Sequence, residues 1–144
     1  MKQSPDRKIL VIHGPNMNLI GVQSAQQGTK ITLDKIDRAL REKARELDIK
    51  LKILQTHDEA KAVTFLQRNR NKTACVLIAP TSWHNGGVTL ADTLQFLQIP
   101  HKKVSIDKRR DSLFDLRNDV FNENPIDAYT SALETLIKEP IDFE

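Results

Sequence analysis

The sequence predicts an α/β fold, a parallel sheet sandwiched between two layers of helices. Short runs rich in Val, Ile and Leu alternate with amphipathic stretches, and no repeat or low-complexity linker interrupts the alternation. Strands that are apolar on both faces belong to sheets covered on both sides, joined by right-handed crossovers. With 144 residues the chain can bury one core without staples, so a single domain over 1–144 is expected.

The first strand is expected over residues 8–13, centred on Ile9-Leu10-Val11-Ile12. Residues 33–47 read as a helix with Thr32 as its N-cap and Leu33, Ile36, Leu40, Ala44 and Leu47 on one face. A second strand follows at Lys50–Thr56, and a helix at Glu59–Arg70 turns Val63 and Leu66 inward. Ala74–Ala79 is a third strand, with a helix at Val88–Leu97 after it. In the fourth strand, Lys102–Asp107, Val104 and Ile106 alternate with polar residues. Asn124 caps and Pro125 opens a last helix carrying Ile126, Tyr129, Leu133 and Leu136. The sum is a flavodoxin-like three-layer sandwich with four full parallel strands. The final strand is expected to be shortened to a stub at Asp119–Phe121, or missing.

Composition narrows the function classes. A formal charge of +3 over 22 basic and 19 acidic residues is a mild bias, and only Lys102-Lys103 and Lys108-Arg109-Arg110 cluster. One Trp and one Tyr provide no stacking platform, so neither nucleic acid nor membrane is an expected partner. The lone cysteine, Cys75, sits in an apolar run, which excludes disulfides and thiolate metal sites and points to a core thiol. Residues 1–8 are too polar for a signal peptide, and a cytoplasmic location is expected.

His13-Gly14-Pro15-Asn16-Met17-Asn18-Leu19-Ile20-Gly21 follows the first strand directly. It brings backbone amides and two asparagine side chains to the carboxyl edge of the sheet, where open α/β folds bind ligands. His13, His57 and His84 all fall at or just past strand ends, with Asp58 and Asp107 at similar heights. Three imidazoles and a carboxylate are the chemistry of a zinc site, but their spacing matches no ligand pattern. Hydrogen-bonded rim histidines are the other reading, and no cofactor is expected. Trp83-His84-Asn85-Gly86-Gly87 reads either as a ligand loop that brings amides to an anion or as a tight strand–helix turn.

Gly14-Pro15-Asn16-x-Asn18-Leu19-x-Gly21 resembles the first-strand signature of the type II 3-dehydroquinate dehydratases. Thr32-Leu33-Asp34-x-Ile36, Gln55-Thr56-His57-Asp58-Glu59, Pro80 with Val88, Leu90 and Asp92, and Ile99-Pro100 fit the same frame over residues 8–107. The resemblance implies a reaction in which an arginine-activated tyrosine on a mobile loop removes a proton beside a ketone. A water held by an asparagine stabilises the enolate, and a histidine protonates the departing hydroxyl. Asn16 matches the water-holding asparagine. The loop reads Val22-Gln23-Ser24-Ala25-Gln26-Gln27-Gly28-Thr29, with Gln23 near the arginine position and Gln27 or Gly28 at the tyrosine position. Ala79 replaces the asparagine before Pro80, and Asn85 stands where a histidine grips substrate. Ser105 replaces the acid histidine and Lys103 its glutamate partner.

The resemblance further implies a carboxylate-binding edge at Ser105, Ile106 and Asp107, with Asp107 adding a like charge there. Asp92 matches a residue that reaches a neighbouring subunit's site, and trimers that build dodecamers are the implied assembly. The expected ligand-binding set is Asn16, Asn18, Asn85, Ser105, Ile106, Asp107 and Asp92, with Asn16, His13 and His84 the candidates for catalysis. The expectation is a dehydratase-like protein that no longer dehydrates 3-dehydroquinate and binds a small ligand or serves in assembly. Changed chemistry at the cleft histidines, or an active dehydratase with relocated groups, are the alternatives.

Overall fold

Lys8–His13, the first strand (β1), is buried at every residue but its first. A computed structural model describes residues 8–26, 28–83, 87–105, 119–121 and 124–138. The chain continues through helix α1 (Ile20–Gln26), α2 (Leu33–Glu46), β2 (Leu51–Gln55), α3 (Glu59–Asn69), β3 (Thr73–Ala79), α4 (Val88–Leu97), β4 (His101–Ser105), β5 (Asp119–Phe121) and α5 (Pro125–Lys138). All strand pairs are parallel, in the order β2-β1-β3-β4-β5.

Side chains alternate across each strand, which divides the core in two. Ile9 and Val11 of β1, with Cys75 and Leu77 of β3, pack under α2 and α5 against Ile36, Leu40, Tyr129 and Leu133. Leu10, Ile12, Val76 and Ile78 face α3 and α4, against Ala62, Leu66, Leu90 and Leu94. Every residue of β3 is buried, which explains its unbroken apolar run. Burial raises the Cys75 thiol to about 12, so it is a core group and not a nucleophile.

Thr32 Oγ1 accepts from the Lys35 amide at 3.2 Å, and Asn124 Oδ1 accepts from the Ile126 amide at 2.9 Å, so both expected caps are in place. Strand and helix ends differ from the sequence-based boundaries by a residue or so. Ile106 and Asp107 lie outside the described residues. The last strand is the expected stub, since β5 has three residues paired to Lys103, Val104 and Ser105.

Two expectations need correction. Residues 22–26 are helical, not loop: Ile20, Gly21 and Ser24 form the buried face of α1. Ser24 Oγ accepts from the Ile31 amide at 2.7 Å and donates to the Ile31 carbonyl at 3.0 Å, tying α1 to the segment before α2. Lys103 is no part of a basic surface cluster, because it is fully buried.

Candidate functional site

The carboxyl edge of the sheet is drawn tight around Gly14. Its amide donates to the Ala79 carbonyl at 2.9 Å, and a Cβ there would lie 2.6 Å from the Pro80 oxygen, so only glycine fits. The Thr56 amide donates to the His13 carbonyl at 3.1 Å, Gln55 Nε2 to the Gly14 carbonyl at 3.3 Å, and Thr81 Oγ1 to the Pro15 carbonyl at 2.8 Å. These bonds lock the ends of β1, β2 and β3 together. Asn16 then turns into the left-handed region at φ 67°, which asparagine tolerates, and a short 3₁₀ turn, Met17–Leu19, leads into α1.

Asn16 and His57 are brought together on this rim, with Asn18 in the adjoining 3₁₀ turn, and all three are exposed. The Asn16 amide donates to His57 Nδ1 at 3.1 Å. Nδ1 therefore carries no proton, and in the neutral ring Nε2 is left as a donor. The rim thus offers side-chain amides and one imidazole N–H to the oxygens of a ligand. Ser105 is buried two strands away at the same edge, and Asp92 is exposed on α4. His84 and Asn85 lie outside the described residues, as do Ile106 and Asp107.

His13 turns inward, into the layer of α2 and α5. In register with Ile9 and Val11, it projects between α2 and α5 and is fully buried. Its Nε2 lies 2.7 Å from Asp37 Oδ1 and its Nδ1 2.8 Å from the Tyr129 hydroxyl, with the two rings edge to face. A carboxylate only accepts, so in the neutral ring Nε2 donates to Asp37 and Nδ1 accepts from Tyr129. Burial, helped by the Asp37 charge, holds the Tyr129 hydroxyl well above its ordinary value of 10.0. Asp37 and Tyr129 did not stand out as partners in the sequence. The signal available was that a buried tyrosine needs an acceptor, and His13 is a polar residue inside an apolar strand.

Glu59 is a second group the sequence left unassigned. From the first turn of α3 its Oε2 accepts from the Leu90 amide at 3.1 Å, at the N-terminus of α4. A Cβ on Gly87 would meet Trp83 Cβ at 2.8 Å and Glu59 Oε2 at 3.3 Å. The glycine is thus required by packing, and the protein's own carboxylate already satisfies one amide of that helix end. Among the described residues, no group of three or more His, Cys, Asp and Glu could hold a metal ion. No described helix is long and apolar enough to cross a membrane.

The sequence profile of the class II dehydroquinases matches residues 7–114. The 3-dehydroquinate dehydratase of Endomicrobium trichonymphae is 32% identical over 100 residues, covering 69% of this chain and 70% of that one. The type II dehydroquinase structure from Propionibacterium acnes superposes with a TM-score of 0.80 at 25% identity, over 96% of this chain and 100% of that one. The one from Butyrivibrio crossotus superposes equally well at 19% identity, covering 94% and 100% and speaking to the fold alone. A 3-dehydroquinate dehydratase-like protein from Bifidobacterium longum follows with a TM-score of 0.62 at 20% identity, covering 92% and 99%. By its motif, its flavodoxin-like sheet and these matches, the chain belongs to the class II dehydroquinase family.

Proposed function

We propose that this chain is a class II dehydroquinase homologue that has lost dehydration of 3-dehydroquinate and binds a small hydroxylated ligand at the rim around Asn16, or serves in assembly. The observation that carries this reading is the fate of the base. The only tyrosine, Tyr129, is 0% exposed and bonded to His13 inside the core. The stretch 20–29, where the resemblance puts the arginine and tyrosine, contains no ionisable side chain. Proton abstraction beside a ketone needs a positioned base whose pKa lies near the working pH. A glutamine amide has none.

The acid half of the relay is missing in the same way. Lys103 and Ser105 stand in place of glutamate and histidine, and both ring nitrogens of His13 are occupied, by Tyr129 and Asp37. His57 is the one described imidazole left at the rim, and it supports ligand contact more than two-step acid–base work. Assembly into a homo-oligomer, trimer-based as the family resemblance implies, is supported by exposed apolar side chains on α1 and α4, notably Val22 and the 90%-exposed Phe96. A free, buried thiol fits a reducing, cytoplasmic setting.

The test is turnover of 3-dehydroquinate by the purified protein, followed by the ultraviolet absorbance of the conjugated enone, beside an authentic type II enzyme. No rate above background is expected, together with a raised melting temperature in the presence of 3-dehydroquinate or quinate. A rate near the control's overturns the proposal and sends the search to a substitute base.

A further inference from the structure

The strand β2 ends the sheet, and its outer side is not paired with any described residue. The Ile9 amide donates to the Lys50 carbonyl and the Thr56 amide to the His13 carbonyl. In a parallel ladder this turns the backbone groups of residues 50, 52, 54 and 56 toward β1, and those of Leu51, Ile53 and Gln55 outward. Beside that open edge, β2 and α3 border a groove of about 570 Å³ with Leu54 and Phe65 among its lining residues and three cations, Lys52, Lys61 and Arg68. The Lys52 ammonium sits 5.7 Å from the centre of the Phe65 ring and donates to Asn69 Oδ1 at 3.3 Å. None of the three cations is ion-paired to a described carboxylate.

We propose that the outer edge of β2 and the groove beside α3 form a docking surface that takes an acidic, extended segment of a partner protein as an added strand. Three backbone positions supply the ladder, and alternate side chains of the segment reach the groove. A lysine on an edge strand often serves to prevent pairing, but that device needs no groove and no converging second and third charge. A second copy of this edge is the wrong complement. Its β2, Leu51-Lys52-Ile53-Leu54-Gln55, carries no acid and would set Lys52, Lys61 and Arg68 against their own kind.

The probe is a fluorescein-labelled peptide, Thr-Glu-Val-Glu-Ile-Glu-Thr, titrated with the full chain and read by anisotropy, with the Lys-for-Glu peptide as control. Saturable binding of the acidic peptide is expected, weaker by about tenfold or more at about 1 M than at about 0.1 M salt. A similar loss is expected in Arg68→Ala and a larger one in the Lys52→Glu/Arg68→Glu double variant, both with unchanged circular dichroism. Hydrogen exchange supplies the decisive arm: the amides of Leu51, Ile53 and Gln55 gain protection when the acidic peptide binds. Absent saturation, equal binding of the basic peptide, or binding without protection at those amides overturns the proposal. So does protection that grows with protein concentration alone, which would assign the edge to a second copy. Preference for a labelled single-stranded oligonucleotide over the peptide would overturn it as well.

Discussion

Replacing Tyr129 by Phe removes one oxygen from the centre of the fold and nothing else. The hydroxyl is fully buried and lies 2.8 Å from His13 Nδ1, while His13 Nε2 is committed to Asp37 at 2.7 Å. Without the hydroxyl, Nδ1 becomes a buried polar atom with no partner, whichever tautomer the ring adopts, and the cost of such an orphan is about 1–3 kcal/mol. For a domain of this size each kcal/mol moves the melting temperature by roughly 4 °C, so a fall of roughly 4–12 °C is expected. Urea denaturation followed by circular dichroism gives the free energy, and the slope with urea should be unchanged because the buried surface is the same. The variant should still bind whatever the rim binds, since Tyr129 is buried and bonds His13, while the rim pair is Asn16 with His57. A Tyr129→Phe protein within about 0.5 kcal/mol of the parent would refute the claim that this bond is a structural strut. Intact stability with lost ligand binding would instead return Tyr129 and His13 to the site.

Alkaline pH should destabilise the protein. Cys75, with an ordinary value of 9.0 raised to about 12, and Tyr129, raised well above 10.0, keep their protons in the fold where the unfolded chain releases them. The folded state then binds more protons, so stability falls as pH rises above about 9, by up to about 1.4 kcal/mol per pH unit for each group. Tyr129→Phe should remove its part of that slope, which chemical denaturation at a series of pH values would resolve. Gly14→Ala should cost at least about 1–3 kcal/mol, because the new Cβ meets two carbonyl oxygens of the β3 end, at 2.6 and 2.7 Å, in backbone that cannot turn away. Glu59→Ala should cost about 1 kcal/mol by stripping the Leu90 amide of its acceptor, while Glu59→Gln should recover part of it, as thermal melts would read out.

The layers, the strand order and both helix caps were legible because they rest on local rules: an unbroken apolar run in β1, a period near 3.6 in α2, and Thr32 and Asn124 at helix starts. What escaped was whatever needed a partner distant in sequence. Helix α1 escaped because its glutamines carry no apolar stripe, and its anchor is the bond from Ile31 to Ser24, visible only in three dimensions. His13 drew attention as a strand-end imidazole near the asparagines. Its alternation with Ile9 and Val11 already placed it on the face of α2 and α5, a consequence of period two that was available from the sequence alone. Asp37 lies 24 positions from His13 and Tyr129 116 positions, and no spacing rule joins them. The rim pair, Asn16 with His57, joins two loops 41 residues apart and was equally beyond local reading.

The proposed loss of the base is tied to helix α1. Helix α1 runs to Gln26, and the turn out of it places Gly28 at φ 106°, a conformation that side chains with a Cβ rarely adopt. Gly28 is also one of the two positions where the resemblance calls for the tyrosine. A Cβ there would meet nothing within 4 Å, so the obstacle to Gly28→Tyr is the backbone and not space. Holding a tyrosine in that region costs about 1–3 kcal/mol. To relieve it, the chain would have to unwind the end of α1, whose Ser24 bonds hold Ile31 and the entry to α2. Gly28→Tyr combined with Gln23→Arg should therefore lower stability by about that amount and produce no dehydration of 3-dehydroquinate, because the acid positions still hold Ser105 and Lys103. Measurable turnover in that double variant, without a loss of stability, would mean that the loop and the helix exchange freely and that α1 is no barrier to the old chemistry.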